Sequence, residues 1–284
     1  MRYVLDIRTL SLTAGIISLI LCICMLYVSR TRKTYNGFTQ WTTASILNAF
    51  GMALLSMRGF FPDFISIVIA NTLIVVANCL IVYGLEVFAG NTRRIWLIIS
   101  FAVSTFMLFI YFTYYSPNVN VRIVIISAVL SILFGYCAYF VHKYIPRIID
   151  DKDMWLTTVF GILAIWFAFR MSTTLFIEAP IVNFMKSSAV QGMAFVVFFC
   201  GNIFIVTGLI ILNSQRVEFD LLTAIEEVRT LRGIIPICMH CKGIRDDSGC
   251  WNQLEKYITE HSEAQFSHGI CEKCAKKHYP EGTE

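Results

Sequence analysis

Four cysteines near the C-terminal end form two pairs of equal spacing, Cys238-x2-Cys241 and Cys271-x2-Cys274. Two thiolates held two residues apart can grip one side of a tetrahedral ion. Two such hooks in one short segment therefore point to a closed site of four thiolates. A closed site leaves no position for water, so its metal holds structure and does no chemistry. A thioredoxin-like redox pair fits poorly, because no βαβ pattern surrounds either hook. A c-type haem needs a histidine after the second cysteine, where Lys242 and Ala275 stand. His240, His261, His268 and His278 could each replace a cysteine as ligand, but read better as surface or neighbouring residues. Cys250 reads as packing at the start of a helix.

A second group of chemically capable residues lies in apolar surroundings. Arg170 falls well inside an apolar run. A charge at such a depth is costly unless it is paired or wet, which makes it a functional candidate. Arg58, Asp63, Asn71 and Glu178 are expected at similar or shallower depth, and with Arg170 they compose a candidate pocket for an anionic or polar signal. The competing role for Arg170 is glue between helices, bonded to carbonyls or to Asn71. Glu86 is expected to pair with Arg93 or Arg94, and Asn48, Asn78 and Asn202 to make polar packing contacts. No catalytic motif is present, so no enzyme activity is expected.

The elements that must position these residues are membrane helices. The chain is 57% hydrophobic and 15% charged, against about 25% charged in an ordinary soluble domain. Apolar runs of about 20 residues are long enough to cross a bilayer. Seven are predicted, at roughly 10–29, 39–58, 64–89, 95–115, 121–141, 155–177 and 188–212. Backbone groups in lipid must satisfy one another, so the runs are helices. The second run is diluted by Gln40, Thr42, Thr43, Ser45 and Asn48. No cleavable signal peptide is expected, since no small-residue cleavage site follows the first run. Cys22, Cys24, Cys79, Cys137 and Cys200 fall in these runs, as small apolar fillers.

Basic residues set the expected orientation. Arg30, Arg32, Lys33, Arg93, Arg94, Lys143, Arg147 and Lys152 crowd loops one, three and five, while Arg58, Arg122 and Lys186 serve the others. Positive-inside then places the N-terminus outside and the C-terminus in the cytoplasm, although Arg2 and Arg8 weigh the other way. A cytoplasmic tail disfavours disulfides and favours metal.

The expected organisation is a seven-helix transmembrane module over 1–212, a helical connector over 213–233 and a four-cysteine metal-binding domain over 234–284. The fold class is thus an all-α membrane protein with a small α+β treble-clef-like tail. In the connector, Val217, Leu221, Ile225 and Val228 form one apolar stripe, suited to a homodimeric coiled coil or to packing on its own tail. In the tail, 246–249 reads as a turn and 266–270 as a short strand. Trp251, Leu254, Tyr257 and Ile258 share a helix face. So small a domain has little core, and a structural metal answers that shortage.

Three resemblances follow from these residues. The segment from Leu231 to Glu281, with both hooks, resembles a tail found at the ends of bacterial sensory proteins after PAS, GAF or receiver domains. The usual form has Lys at Gly243, an aromatic residue at Cys250 and Pro at Glu272; the four hook cysteines are kept. The stretch 48–90, marked by Arg58-Gly59, Pro62-Asp63, Asn71 and Gly84-Leu85, is similar to the seven-helix sensory module of some bacterial diguanylate cyclases and histidine kinases. In those proteins an output domain follows, and here only the cysteine tail does. The hook spacing, with Gly243, also resembles that of rubredoxins, but the helical character of 251–262 does not.

Together these imply a bacterial inner-membrane sensory protein whose zinc-bound tail contacts a cytoplasmic protein partner. The alternative is a membrane-anchored, rubredoxin-like iron electron carrier. Nucleic acid is not an expected partner: residues 238–284 carry six Lys and Arg against eight Asp and Glu, and phosphate binding needs a basic surface. A transporter is disfavoured by the absence of an inverted repeat.

Overall fold

The computed structural model describes residues 7–91, 95–149, 155–181, 184, 189–232, 237–245, 249–261 and 265–279. The chain divides into two compact units, Met1–Asp220 and Leu221–Glu284.

The first unit is helical. In chain order it contains α1 (Ile7–Thr31), α2 (Phe38–Ser56), α3 (Ala70–Phe88), α4 (Ile95–Ile110), α5 (Val119–Tyr144), the short α6 (Pro146–Ile149) and α7 (Trp155–Phe176). The last helix, α8 (Ala189–Arg232), begins in this unit and runs on past its edge. α3 is preceded by a π-wound segment, Phe64–Ile69, and α4 is followed by another, Tyr111–Tyr115. Each expected apolar run contains a helix. Among the described residues, five helical stretches are long and apolar enough to cross a membrane: Ile7–Thr31, Phe64–Phe88, Val119–Ile149, Trp155–Phe176 and Ala189–Ile225. α4 supplies only a shorter apolar stretch, Ile99–Tyr115, and α2 carries the polar residues that dilute it.

Apolar burial drives little between helices that already sit in lipid, so close packing and polar contacts must hold them. The contact of α2 with α3 shows how. A Cβ on Gly84 would lie 2.3 Å from Trp41 Nε1, and one on Gly37 would lie 2.3 Å from the Gly84 carbonyl oxygen. Gly37 also has φ +104°, a region that other residues rarely adopt. The indole of Trp41 therefore seats against bare backbone, donates to the Ile81 carbonyl at 3.3 Å and packs on Phe88 with ring centroids 5.4 Å apart. Between α5 and α7, Phe134 packs on Phe160 and Phe167, and Ser131 Oγ donates to the Ala164 carbonyl at 2.9 Å.

A polar clasp ties α8 to the loop after α1 and to the end of α3. Asn213 accepts from the Tyr35 amide at 3.0 Å and donates to the Lys33 carbonyl at 3.0 Å. Arg216 donates to the Phe88 carbonyl at 2.6 Å and lies over the rings of Tyr35 and Phe88. Tyr35 Oη donates to Asp220. Nothing in the hydropathy pattern announces this cluster, which joins residues far apart in sequence.

The second unit holds a two-stranded antiparallel hairpin, β1 (Ile244–Arg245) with β2 (Trp251–Asn252), then α9 (Leu254–His261) and α10 (Glu272–His278). Trp251, expected on the helix, instead pairs with Arg245 in the hairpin. Its ladder bonds need extended backbone, and the helix starts three residues later. Residues 266–270, expected as a strand, have no regular structure, the ladder partner of β1 being β2. Of the expected turn at 246–249, only Gly249 lies among the described residues, with φ +86°.

Candidate functional site

There are two candidate sites, one in each unit. In the helical unit a cavity of about 80 Å³ is bounded by α2, α3, α5, α7 and α8. Arg58, Asn71, Arg122 and Arg170 reach its wall, and the rest is apolar, including Ile67, Ile123, Ile126, Leu130, Phe167, Phe184 and Phe195.

Arg170 on α7 is 6% exposed and Gln191 on α8 is fully buried. The Arg170 Nε and Nη2 groups both donate to Gln191 Oε1, at 2.9 and 2.7 Å. Gln191 Nε2 donates onward to Thr174 Oγ1 at 3.0 Å and to Glu178 Oε2 at 2.7 Å. Thr174 itself donates to Glu178 at 2.9 Å. A buried guanidinium is thus satisfied by an amide, and its charge is answered by a carboxylate one residue further away. Arg170 joins two helices and also lines the cavity. Its partner is Gln191 rather than Asn71, whose amide donates to the Ile67 carbonyl of its own helix at 2.7 Å.

Arg58, in the turn after α2, lies 5.0 Å from the centroid of Phe184. Its guanidinium makes no hydrogen bond to a described residue; its amide donates to the Leu55 carbonyl at 3.2 Å and its carbonyl accepts from Arg8 at 3.4 Å. Arg122 on α5 donates to Thr113 at 3.3 Å. Asp63 is exposed and off the cavity wall, but close enough to act electrostatically on both Arg58 and Arg122. Of the five expected pocket residues, Arg58, Asn71 and Arg170 therefore meet on the cavity. Glu178 supports it through Gln191, and Asp63 sits outside as a counter-charge.

Sequence reasoning takes Arg122 only as a loop charge and passes over Gln191. The available signals are an arginine at the start of an apolar run and an amide near the start of another, each costly without a partner. Tyr136 Oη on α5 donates to Glu86 at 2.6 Å; the expected partners Arg93 and Arg94 lie outside the described residues. Asn48, Asn78 and Asn202 line a second, smaller cavity with Ser45 and Trp41.

In the second unit each hook has its own local geometry. The Cys238 amide donates to the Gly243 carbonyl at 2.8 Å, and the Lys242 amide to the Cys238 carbonyl at 3.0 Å. Lys242 has φ +61°, which curls the chain back over the cysteine. Backbone amides of Cys241 and His240 turned towards the Cys238 sulfur hold its thiol below the usual range. The second hook opens α10, with Cys271 at the N-cap. The Cys274 amide there lowers the Cys271 thiol in the same way. One thiol in each hook is thus shifted towards thiolate, the form that binds metal. They do not converge: among the described residues no group of three or more Cys, His, Asp or Glu is placed to hold one ion. Cys250 is exposed and precedes β2 rather than a helix.

No family model matches the chain, and no characterised protein or solved structure matches it either.

Proposed function

We propose that this is a membrane signal-transduction protein that reads an anionic or polar ligand in the arginine-lined cavity and passes the change along α8 to the cysteine tail. One observation carries the reading. Gln191, which anchors Arg170 at the cavity, stands near the start of the same continuous helix that ends at Arg232, just before the first hook. Any movement of the Arg170–Gln191 pair is a movement of that helix. In the expected seven-span orientation the cavity lies in the outer half and the tail in the cytoplasm.

The tail's part is structural. Cys238, Cys241, Cys271 and Cys274 would close on one zinc ion, whose binding is coupled to folding in domains this small. The lowered Cys238 and Cys271 thiols support this, and the folded tail would present a surface to a cytoplasmic partner. Leu221, Leu222 and Ile225 on α8 are more than half exposed, which supports pairing with a second copy through 213–233.

The test uses the full chain in lipid nanodiscs. Hydrogen exchange along 189–220 is compared between the native chain and Arg170→Gln, which keeps a hydrogen-bonding group and removes the charge. Coupling predicts altered protection beyond the first turn of α8, reaching the clasp at Asn213 and Arg216. A change confined to the residues around Gln191 would refute it. Metal content of the same sample should be one equivalent of zinc; an equivalent of redox-active iron would favour the electron carrier.

A further inference from the structure

The cavity's charge, shape and volume together specify a ligand class, on the premise that this cavity is the sensory site. Three guanidinium groups reach its wall, and two carboxylates stand near them. Glu178 answers Arg170 through Gln191. Asp63 acts electrostatically on both Arg58 and Arg122, so among the described residues three guanidinium groups face two carboxylates. The uncommitted donors are at the same place. Arg58 gives no guanidinium hydrogen bond to a described residue, and Arg122 gives a single one at 3.3 Å. Guanidinium groups among aromatic walls with donors to spare call for an oxyanion, and the charge count calls for a single one.

The remainder of the cavity is apolar. Arg122, Ile126 and Leu130 all line it from α5, a run of about 12 Å at 1.5 Å per residue. Phe167 lines it from α7. One end is therefore cationic and the other takes hydrocarbon. The cavity of about 80 Å³ is several times the roughly 10–15 Å³ that a single water needs, which suits a small molecule.

We propose that the cavity binds a short-chain monocarboxylate, its carboxylate received by Arg58 and Arg122 and its chain lying along α5 towards Leu130. A dicarboxylate or phosphate would carry a second charge with no partner. A membrane fatty acid would be too long to be enclosed.

The experiment titrates the full chain in nanodiscs with the straight-chain acids from acetate to dodecanoate, with succinate and with inorganic phosphate, using calorimetry. Butyrate to hexanoate should bind best. Arg58→Gln and Arg122→Gln should each weaken binding about ten- to hundred-fold, as expected for a lost hydrogen bond between charged partners. Leu130→Phe should move the preferred chain shorter by one or two carbons while leaving the headgroup requirement intact. Thermal unfolding of each variant shows whether it is folded. Binding of succinate or phosphate that is lost in Arg58→Gln, with no monocarboxylate bound, would overturn the ligand class and leave the sensory cavity standing. Preference for dodecanoate, indifferent to Leu130→Phe, would overturn the class in favour of a lipid chain. No binding by any probe to the folded native chain would overturn both the class and the sensory reading on which it rests.

Discussion

Replacing Gln191 by Leu removes the amide that holds Arg170 while keeping side-chain volume close to constant. Two hydrogen bonds from a guanidinium end on Gln191, at 2.9 and 2.7 Å. Bonds to charged groups contribute about 1.5–3 kcal/mol each, so the gross loss is about 3–6 kcal/mol. Two effects reduce it. The cavity beside Arg170 can admit water to the freed donors, and Thr174 and Glu178 remain bonded to each other at 2.9 Å. Polar contacts between membrane helices also measure weaker than the same contacts elsewhere, because the unfolded helices find other partners in lipid. The net expectation is a loss of about 2–3 kcal/mol. The assay is reversible unfolding of the chain in mixed micelles, repeated in an Arg170→Met background. If Arg170 is the reason Gln191 matters, Gln191→Leu should cost less than about 1 kcal/mol once the charge is gone, a coupling of at least about 1 kcal/mol. Equal costs in both backgrounds, or a loss below about 0.5 kcal/mol in the native chain, would refute the account of Gln191 as the anchor.

Gly84→Ala should destabilise by about 1–3 kcal/mol, since its new methyl would meet Trp41 and the Gly37 carbonyl. Gly161→Ala, on α7 with open space around it, should be neutral or stabilise by up to about 1 kcal/mol in the same unfolding assay. Arg216→Met should cost about 1–3 kcal/mol and raise hydrogen exchange in 213–220, because it removes the bond to the Phe88 carbonyl and both ring contacts; unchanged exchange there would mean the clasp does not hold α8. A chelator should unfold the cysteine tail while the helical unit survives, followed by tryptophan emission of Trp251 against that of the buried Trp41. Cys238→Ser or Cys271→Ser should act likewise, and Cys250→Ser should not. A tail equally ordered with and without metal would remove the zinc reading. A cytoplasm-active reporter fused at residue 284 should be active and a periplasm-active one silent; the reverse would overturn the orientation.

Five helical stretches are legible because each runs through about 20 residues or more of nearly unbroken hydropathy, a signal that needs no tertiary information; α2 and α4 are marked more weakly. The cavity is legible only in part. Arg170 stands out since a charge in an apolar run has no cheap explanation. Gln191 does not, since a neutral amide in such a run is common and its importance comes from facing Arg170 across two helices. The clasp is not legible at all: Tyr35, Phe88 and Arg216 are ordinary residues at the ends of elements, and only packing makes them neighbours. In the tail, Trp251 suits a helical face by spacing, yet a two-residue strand leaves no periodicity to read. Cysteine spacing names the hooks but cannot place one against the other.

In the proposed mechanism, α8 has two fixed points within the helical unit, Gln191 at the cavity and Asn213–Arg216 at the clasp. They are separated by about 33 Å of helix at 1.5 Å per residue. A helix is stiff over that distance, so a shift at the first point must be absorbed at the second or break it. The clasp is built from a few polar contacts and two ring faces at a partly exposed edge, and the Trp41–Gly84 contact from close-packed backbone. The clasp is therefore the weaker joint, and the one that would give way. A ligand can only move such an equilibrium by as much as it prefers one state over the other. At the cavity that preference would come from the oxyanion proposed to sit between Arg58 and Arg122. Weakening the clasp by Arg216→Met should then tighten ligand binding if binding releases α8, and loosen it if binding draws α8 in. Affinity unchanged by a clasp variant that is folded and frees residues 213–220 would disconnect the two points and leave α8 as a scaffold.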